Sequence, residues 1–138
     1  AFVVISNQAG VGRGLLTEEQ VWELDRRMVT ALAEQGIPIL KSYYCFHHWE
    51  EHCACRKPEP GMFFKASEEF LLPLEKTWYI GDDLRDCTAA WRAGCRSVLV
   101  NSSEDILQLP VEERPEAQYA DIQGFAARFL SKYSHSHP

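Results

Sequence analysis

The sequence predicts an α/β fold built on a parallel sheet, and three observations support this prediction. Short apolar, β-branched segments alternate along the chain with longer segments whose apolar residues repeat every three or four positions. Polar residues follow the apolar segments directly, where parallel sheets of this kind place their ligands. The length of 138 residues suits one domain, and 46% apolar residues are ordinary for a globular protein.

The first predicted elements are a strand, a loop and a helix. The apolar run over residues 2–6 is typical of a strand that is buried on both faces. Residues 7–14 contain three glycines and predict a loop. A helix begins at Thr17, because Thr17 and Gln20 have the spacing of a capping box, and it ends at Gly36. Its predicted buried face consists of Val21, Leu24, Met28 and Leu32.

The rest of the chain continues the alternation. Strands are predicted over residues 37–45, 77–80 and 97–100, and helices over 60–71, 83–93 and 120–133. The acidic stretch 103–117 predicts a loop-rich segment, and residues 134–138 predict a disordered tail. Together these elements predict one domain over residues 1–133.

Composition narrows the classes of function. The net charge of −6 argues against a general binder of nucleic acid or of membrane surfaces, since both need broad positive faces. No apolar run is long enough to cross a bilayer. Three of the five cysteines lie close together beside a histidine, which favours a metal site in a reducing compartment over a disulfide framework. The expected location is therefore the cytoplasm.

A metal-binding loop is predicted over residues 45–55. Its candidate ligands form two close pairs: Cys45 with His47, and Cys53 with Cys55. This set suits one tetrahedral Zn²⁺ with no position left for water, so the zinc would be structural. His48 and His52 are rival ligands, and ordinary reduced thiols beside a surface histidine are the alternative. Cys87 and Cys95 lie on or near an apolar helix and are predicted to be small core residues.

Two cations follow the last candidate ligand. Arg56 and Lys57 come directly after Cys55, so a backbone anchored by a metal can aim both at one point. A bidentate arginine and the point charge of a lysine suit a phosphate group. The alternative is a solvated basic pair before Pro58.

A second candidate phosphate contact follows the first strand. Ser6, Asn7 and Gln8 offer a hydroxyl and two amides, and the glycines that follow offer backbone N–H groups. A plain tight turn explains the glycines equally well. Arg13 reaches either the substrate or solvent.

Carboxylates collect at the turn after the predicted strand 77–80. Asp82 and Asp83 are adjacent, which suits Mg²⁺, but Asp also caps helices well, and the two interpretations are equal on this motif alone. Asp82 is the better metal candidate because it comes last on the strand. Asp86, one turn along, either caps the helix or pairs with Arg85.

In this order, the clusters resemble the haloacid dehalogenase (HAD) superfamily of phosphohydrolases. The likeness is nearest to the branch of heptose-bisphosphate and histidinol-phosphate phosphatases. It is carried by Ser6 to Gly14, by Cys45-x-His47 followed by Cys53-x-Cys55-Arg56-Lys57-Pro58-x-Pro60-Gly61-Met62, and by Gly81-Asp82-Asp83. The cysteine motif that runs into Arg-Lys-Pro is specific to this branch, and the other segments are generic to the superfamily. The resemblance implies a Rossmann-like fold with helices on both faces of a parallel sheet.

The resemblance also implies a function, namely an Mg²⁺-dependent phosphatase that acts on a small phosphorylated metabolite, with a heptose bisphosphate as the expected substrate. Ser6 and Lys57 match groups that bind the transferring phosphoryl group, and Arg56 matches a residue that recognises the substrate. Asp82 matches a magnesium ligand, whereas Asp83 falls where close relatives often differ. Four further residues lie on the loop that matches the substrate-contacting loop: Asn7, Gln8, Ala9 and Arg13.

One part of the family pattern is absent from the sequence. Members carry an Asp-x-Asp pair at the end of a first, central strand, and one of these carboxylates is the nucleophile. No such pair precedes Ser6. We therefore expect a partial HAD-like domain whose central strand comes from an upstream segment or from another chain, and no turnover by these 138 residues alone. The alternatives are a histidinol-phosphate phosphatase, a polynucleotide 3′-phosphatase and a non-catalytic, zinc-stabilised remnant.

Overall fold

The computed structural model describes residues 1–134, in which all the strand pairings are parallel and strands alternate with helices. The predicted α/β class is therefore confirmed. The helices and strands are β1 (Phe2–Asn7), α1 (Ala9–Gly12), α2 (Glu18–Glu34), β2 (Ile39–Cys45), α3 (Gly61–Phe70), β3 (Trp78–Gly81), α4 (Leu84–Ala93), β4 (Arg96–Val100), β5 (Ala117–Tyr119) and α5 (Ile122–Ser134).

The chain divides into two compact units, Ala1–Leu72 and Pro73–Pro138. The prediction of one domain over residues 1–133 stays a prediction. The predicted tail, 134–138, lies outside the described residues apart from Ser134, which ends α5. No helix within residues 1–134 combines the length and the apolar character that a membrane crossing needs.

The first unit is built on the parallel pair of β1 and β2. Their register runs from Phe2 opposite Ile39 to Asn7 opposite Cys45, so the two strands end side by side. Behind them, α3 packs on β2, and the buried core joins four residues: Tyr43, Cys45, Met62 and Ala66. The segment 45–57, which contains three cysteines and is called the cysteine loop below, therefore begins directly beside the end of β1.

Helix α2 begins as its sequence predicts. The Thr17 hydroxyl accepts a hydrogen bond from the Gln20 N–H at 3.1 Å, and the Gln20 side chain accepts one from the Thr17 N–H at 2.8 Å. Two backbone donors of the first turn are thereby satisfied, which completes the predicted capping box. The helix ends at Glu34, just before Gly36.

The buried face of α2 differs in part from the prediction. Val21 is 5% exposed, but Leu24 is 63% exposed, so the prediction for Leu24 is wrong. The helix instead turns Trp22 and Asp25 toward β2: the Trp22 ring meets the Tyr44 ring edge-on at 5.2 Å, and the Tyr44 hydroxyl donates to Asp25 at 2.7 Å. The Tyr44 hydroxyl of β2 is thus a polar partner for the face of α2 that carries Asp25. The spacing of hydrophobic residues does not reveal such a partner.

The second unit is a three-stranded parallel sheet in the order β3-β4-β5. Helix α4 packs against β3 and β4 through small residues, with Ala89 and Ala90 completely buried. Because alanine side chains are short, the helix can lie close to the buried Leu99 of β4.

Two short elements lie where loops were predicted. Helix α1 occupies part of the predicted loop 7–14, and it is a single turn. Strand β5 begins inside the stretch 103–117 and pairs with β4, with Ala117 opposite Val98. The three residues of this strand, Ala-Gln-Tyr, are too few to give a periodic signal in the sequence, so the pairing with β4 is what defines it.

The first turn of α4 uses two carboxylates as caps. Asp83 is the N-cap, and its Oδ1 accepts from the Arg85 N–H at 2.8 Å. Asp86 is only 5% exposed, and its Oδ2 accepts from the N–H groups of Asp82 at 3.0 Å and Asp83 at 3.1 Å. The guanidinium of Arg85 binds Asp83, so of the two roles predicted for Asp86 the structure supports capping.

We expect the Asp86→Ala variant to lose about 2 kcal/mol of unfolding free energy, because two backbone N–H groups lose their buried acceptor. Asp86→Asn should lose less, since the amide oxygen still accepts a hydrogen bond. Urea denaturation followed by circular dichroism measures both. The exposed Glu112→Ala variant is the control, with an expected change within about 0.5 kcal/mol. Equal losses for Asp86→Ala and Glu112→Ala would contradict the capping role.

Candidate functional site

Four potential metal ligands converge at the carboxyl end of β2: Cys45, His47, Cys53 and Cys55. Their ligand atoms all lie within 4.8 Å of one another. The Cys55 Sγ lies 3.0 Å from that of Cys45 and 3.5 Å from that of Cys53, and His47 Nδ1 lies 3.1 Å from the Cys55 Sγ. Sulfur ligands around a tetrahedral zinc are about 3.8 Å apart. The cluster therefore needs to open by less than about 1 Å to hold such an ion.

The local backbone distinguishes His47 from its two rivals. The His48 Nδ1 accepts a hydrogen bond from the Glu50 N–H at 3.1 Å, which caps a short 3₁₀ helix at Trp49–Glu51. His52 ends that helix in the left-handed region, at φ 49°. Within the described residues, the cluster includes His47 and neither of the other two.

The thiols of the cluster differ in acidity. Burial raises the pKa of Cys45 to about 12, and burial also raises the pKa of Cys55. Burial acts in the same direction on Cys53, but hydrogen bonds from the Arg56 N–H and from the other thiols outweigh it and lower its pKa to about 7. The thiolate is the form that binds metal, and of the three thiols Cys53 has the largest thiolate fraction at neutral pH.

The other two cysteines lie in the second unit. Cys87 is 1% exposed, and burial raises its pKa to about 11, so the prediction of a core residue is confirmed. Cys95 is partly exposed, and burial raises its pKa to about 11 as well. All five cysteines are free of disulfide bonds.

Two glycines allow the backbone to pack closely around the cysteine loop. A Cβ on Gly12 would lie 2.5 Å from the His48 N and 2.8 Å from the Phe46 O. A Cβ on Gly61 would collide with the Ala54 carbonyl, which instead accepts a hydrogen bond from the Gly61 N–H at 3.0 Å. Close approach to the loop thus accounts for Gly12, which the sequence had offered as a phosphate contact or a plain turn.

The side chain of Asn7 binds the backbone of Lys57. Its Oδ1 accepts from the Lys57 N–H at 2.9 Å, and its Nδ2 donates to the Lys57 carbonyl at 3.1 Å. The next residue, Gln8, donates its N–H to the Cys45 carbonyl at 2.8 Å. The side-chain amide of Asn7, which was predicted to contact substrate, is thus hydrogen-bonded to the backbone of the protein. This function of Asn7 was missed because its partner lies 50 residues away in sequence.

The neighbours of Asn7 form a local group. The Ser6 hydroxyl accepts from the Gln8 side chain at 3.1 Å and donates to the Asn7 carbonyl at 3.4 Å. Ala9 begins α1, and the guanidinium of Arg13, which follows that turn, lies 5.2 Å from the centre of the Trp49 ring. The predicted substrate loop therefore adjoins the cysteine loop, and the predicted contacts of its residues with substrate stay predictions.

Arg56 and Lys57 line one cavity of about 470 Å³ within the first unit. Trp49, His52 and Glu59 lie on its walls. The Nη1 of Arg56 is buried and has no hydrogen-bond partner among the described residues, and Lys57 is 9% exposed. A buried cationic donor without a partner is costly unless an anion accepts from it, so the geometry suits a small anion. Trp49 was not predicted to lie beside the two cations, although an aromatic residue within a polar segment of the sequence was a visible signal.

The second unit holds the two predicted magnesium ligands after β3. Asp82 is exposed, and within residues 1–134 its carboxylate has no hydrogen bond or ion pair. Asp83 is engaged twice, because it caps α4 and its two oxygens bind Arg85 at 3.0 Å each. Of these two carboxylates only that of Asp83 is engaged within residues 1–134, and the role of either as a magnesium ligand stays a prediction.

A family model described as HAD-hydrolase-like matches residues 54–123, which is half of the chain. The chain belongs to this family. The matched segment of this HAD chain begins inside the cysteine loop and includes the Arg56-Lys57 pair as well as the acidic turn after β3. The superfamily predicted from the sequence is thereby confirmed.

Among curated proteins, two bacterial relatives of this HAD chain are D-glycero-beta-D-manno-heptose-1,7-bisphosphate 7-phosphatases. The one from Photorhabdus laumondii is 38% identical over 97 residues, which cover 65% of this chain and 52% of the relative. The one from Yersinia pestis is 35% identical over 114 residues, which cover 77% of this chain and 61% of the relative. The chain thus spans between about half and two thirds of the length of these relatives.

A solved structure of the same kind of protein is also similar. It is the D,D-heptose 1,7-bisphosphate phosphatase from B. bronchiseptica in complex with magnesium and phosphate, and it is 31% identical with a TM-score of 0.83. The match covers 94% of this chain and 74% of that chain. This likeness agrees with the α/β fold and with membership of the HAD family.

We expect Cys53 to react first when the metal-free protein is treated with iodoacetamide at pH 7. A pKa near 7 makes about half of that thiol a thiolate, whereas the raised pKa values of Cys45 and Cys55 keep those thiols protonated. The rate at Cys53 should rise with pH through 7 and then level off. Peptide mass spectrometry after timed quenching measures the rate at each cysteine.

Zinc provides the control for this experiment. Stoichiometric Zn²⁺ should slow the modification of Cys53 strongly and leave Cys95 unchanged, because Cys95 lies outside the cluster. Faster reaction at Cys55 than at Cys53, or equal rates at Cys53 with and without zinc, would contradict this description of the cluster.

Proposed function

We propose that this HAD chain is the phosphate-binding and metal-binding part of a phosphatase that hydrolyses D-glycero-D-manno-heptose 1,7-bisphosphate. The observation that carries the proposal is the buried guanidinium nitrogen Nη1 of Arg56, which has no hydrogen-bond partner within residues 1–134. Arg56 and Lys57 line one cavity and follow directly after the thiol–imidazole cluster. The substrate follows from the activity named for the similar proteins from Photorhabdus laumondii and Yersinia pestis.

Arg56 and Lys57 act on the phosphate by charge and by hydrogen bonding. The guanidinium donates to the phosphate oxygens, and the lysine ammonium neutralises the negative charge that grows on them in the transition state. The Ser6 hydroxyl is a further donor to the phosphoryl group once it exchanges its hydrogen bond to the Asn7 carbonyl. Burial of Lys57 strengthens its electrostatic effect, because little water screens it.

Asp82 is the residue of this chain that would hold a catalytic magnesium, with Asp83 retained as the helix cap. Its carboxylate is exposed at the end of β3, and oxygen ligands of this kind are those that Mg²⁺ prefers. When bound, Mg²⁺ supplies Lewis-acid polarisation of a phosphoryl oxygen. The similar heptose-bisphosphate phosphatase from B. bronchiseptica was solved with magnesium and phosphate.

Cys45, His47, Cys53 and Cys55 would hold a structural zinc. Three sulfurs and one imidazole form a closed tetrahedral set, which leaves no position for a reacting water. The zinc would therefore stabilise the loop and fix the start of the Arg56-Lys57 segment without taking part in hydrolysis. A thiol set of this kind fits a reducing location, and we place the protein in the cytoplasm.

The nucleophile of the reaction would come from outside these 138 residues. The sequence contains no Asp-x-Asp pair, and the chain spans 52% and 61% of the two relatives. An aspartate carboxylate supplied by a further segment or by another chain would attack the phosphorus and form an aspartyl-phosphate, while the bond to the sugar oxygen breaks and that oxygen takes a proton from the second carboxyl of the pair. Water would then cleave the aspartyl-phosphate, which releases inorganic phosphate and restores the carboxylate.

We expect the 138-residue chain to bind inorganic phosphate but not to turn over a substrate. Arg56→Gln and Lys57→Met should each weaken phosphate binding about tenfold or more, because each removes one charged partner of a buried anion. The control is Arg26→Gln, since Arg26 is an exposed arginine of α2 that pairs with Glu23. Isothermal titration calorimetry gives the affinities. Equal phosphate affinity in the wild-type and Arg56→Gln proteins would contradict the proposed site.

A chain that also carries an upstream Asp-x-Asp strand is expected to hydrolyse heptose 1,7-bisphosphate in the presence of Mg²⁺. Release of phosphate from three probes should distinguish the candidate activities: the heptose bisphosphate, histidinol phosphate and an oligonucleotide with a 3′-phosphate. Faster release of phosphate from histidinol phosphate or from the oligonucleotide than from the heptose bisphosphate would contradict the proposed substrate. Turnover by the 138-residue chain alone would contradict the assignment of an external nucleophile.

A further inference from the structure

Both ends of the cysteine loop meet at Asn7. The loop leaves β2 at Cys45, which lies opposite Asn7 in the strand register, and the Gln8 N–H holds the Cys45 carbonyl at 2.8 Å. The loop returns at Lys57, where the side chain of Asn7 binds both backbone groups of that residue. Two adjacent residues at the end of β1 therefore hold the two ends of the loop: Gln8 binds Cys45 where the loop begins, and Asn7 binds Lys57 where it returns.

The two hydrogen bonds require the chemistry of a primary amide. The Asn7 Oδ1 accepts from the Lys57 N–H at 2.9 Å, and Nδ2 donates to the Lys57 carbonyl at 3.1 Å. An aspartate at this position could only accept, and a leucine of similar size could do neither. The pairing resembles that of a neighbouring strand, because one side chain satisfies both the donor and the acceptor of one residue.

The hydrogen bonds of Asn7 constrain the backbone at Lys57, which lies beyond the last residue of the thiol–imidazole cluster. Cys55 is the last cluster ligand, and two peptide bonds separate it from Lys57. Rotation about the backbone bonds between them would redirect the lysine side chain even with all four ligands in place. Because Asn7 holds the N–H and the C=O of Lys57 together, it fixes the direction in which that side chain leaves the backbone. The side chain then lies in the cavity it shares with Arg56.

We infer that Asn7 is a positioning residue, which sets the backbone of Lys57 so that its ammonium group meets a phosphate held by Arg56. This inference rests on the proposed function, because it takes Lys57 to be a phosphate ligand. It assigns Asn7 a role inside the protein in place of a direct contact with substrate.

The first experiment measures the hydrogen bond itself. In the wild-type chain the Lys57 amide should exchange slowly with solvent deuterium, and in Asn7→Leu it should exchange at least about tenfold faster, because its acceptor is gone. Asn7→Asp should keep the amide protected, since a carboxylate still accepts from it. The Gln8 amide is the internal control, because its partner is the Cys45 carbonyl in all variants. Amide exchange followed by NMR gives all of these rates.

The second experiment measures the consequence for binding. Asn7→Leu should bind inorganic phosphate about tenfold more weakly than the wild-type chain while its bound zinc, measured by native mass spectrometry, stays the same. The matched control is Gln35→Leu, which exchanges an exposed amide at the end of α2 for the same side chain. Its phosphate affinity and its Lys57 exchange rate should both equal those of the wild-type chain.

Several outcomes would overturn the inference. Unchanged protection of the Lys57 amide in Asn7→Leu would show that the amide pairing does not hold the backbone. Lost protection with unchanged phosphate affinity would reduce Asn7 to a structural residue. Equal loss of protection at Gln8 and Lys57 in Asn7→Leu would indicate that the whole unit has loosened. The Asn7→Asp variant decides that case, because loss of protection at the Lys57 amide in this variant as well would contradict the pairing. If the wild-type chain binds no phosphate, the proposed function fails, while the exchange rates still decide whether Asn7 holds Lys57.

Discussion

The geometry of the first unit depends on closing one loop at the end of a parallel strand pair. β1 and β2 end side by side at Asn7 and Cys45, and the chain returns to the same point at Lys57 after twelve residues. Closing a loop costs entropy, and a polar loop has little apolar surface to compensate for it. The Asn7 amide supplies one fixed point through its two hydrogen bonds to Lys57, and the proposed zinc in the thiol–imidazole cluster would supply another. The position of the two cations on their cavity follows from that closure.

Much of this arrangement was visible in the sequence because it depends on local patterns. The spacing of Thr17 and Gln20 gave the start of α2, since a capping box is made within four residues. The grouping of Cys45, His47, Cys53 and Cys55 was also predicted, because three thiols and an imidazole at such short spacing are typical of a tetrahedral metal site. The α/β class followed from the alternation of apolar runs, which parallel sheets require.

The parts that were not predicted depend on partners far away in the chain. Leu24 was placed in the core from its spacing, but the face of α2 is selected by the Trp22 and Asp25 contacts with Tyr44 of β2. Strand β5 has three residues and exists because β4 offers it a pairing edge. The side chain of Asn7 binds the backbone of a residue that lies 50 positions along the sequence, and this contact was not predicted. Local spacing cannot report such long-range contacts.

The closed loop has a consequence for how such a protein can diversify. Its two ends are held at the end of β1, by Gln8 at Cys45 and by Asn7 at Lys57, and the segment between His47 and Cys53 lies between these held ends. That segment carries Trp49 and His52, which line the cavity beside the cations. Insertions or substitutions in this segment would change the part of the cavity lined by Trp49 and His52 and leave Arg56 and Lys57 in place. The lining of the cavity can thus vary while the two cations keep their place.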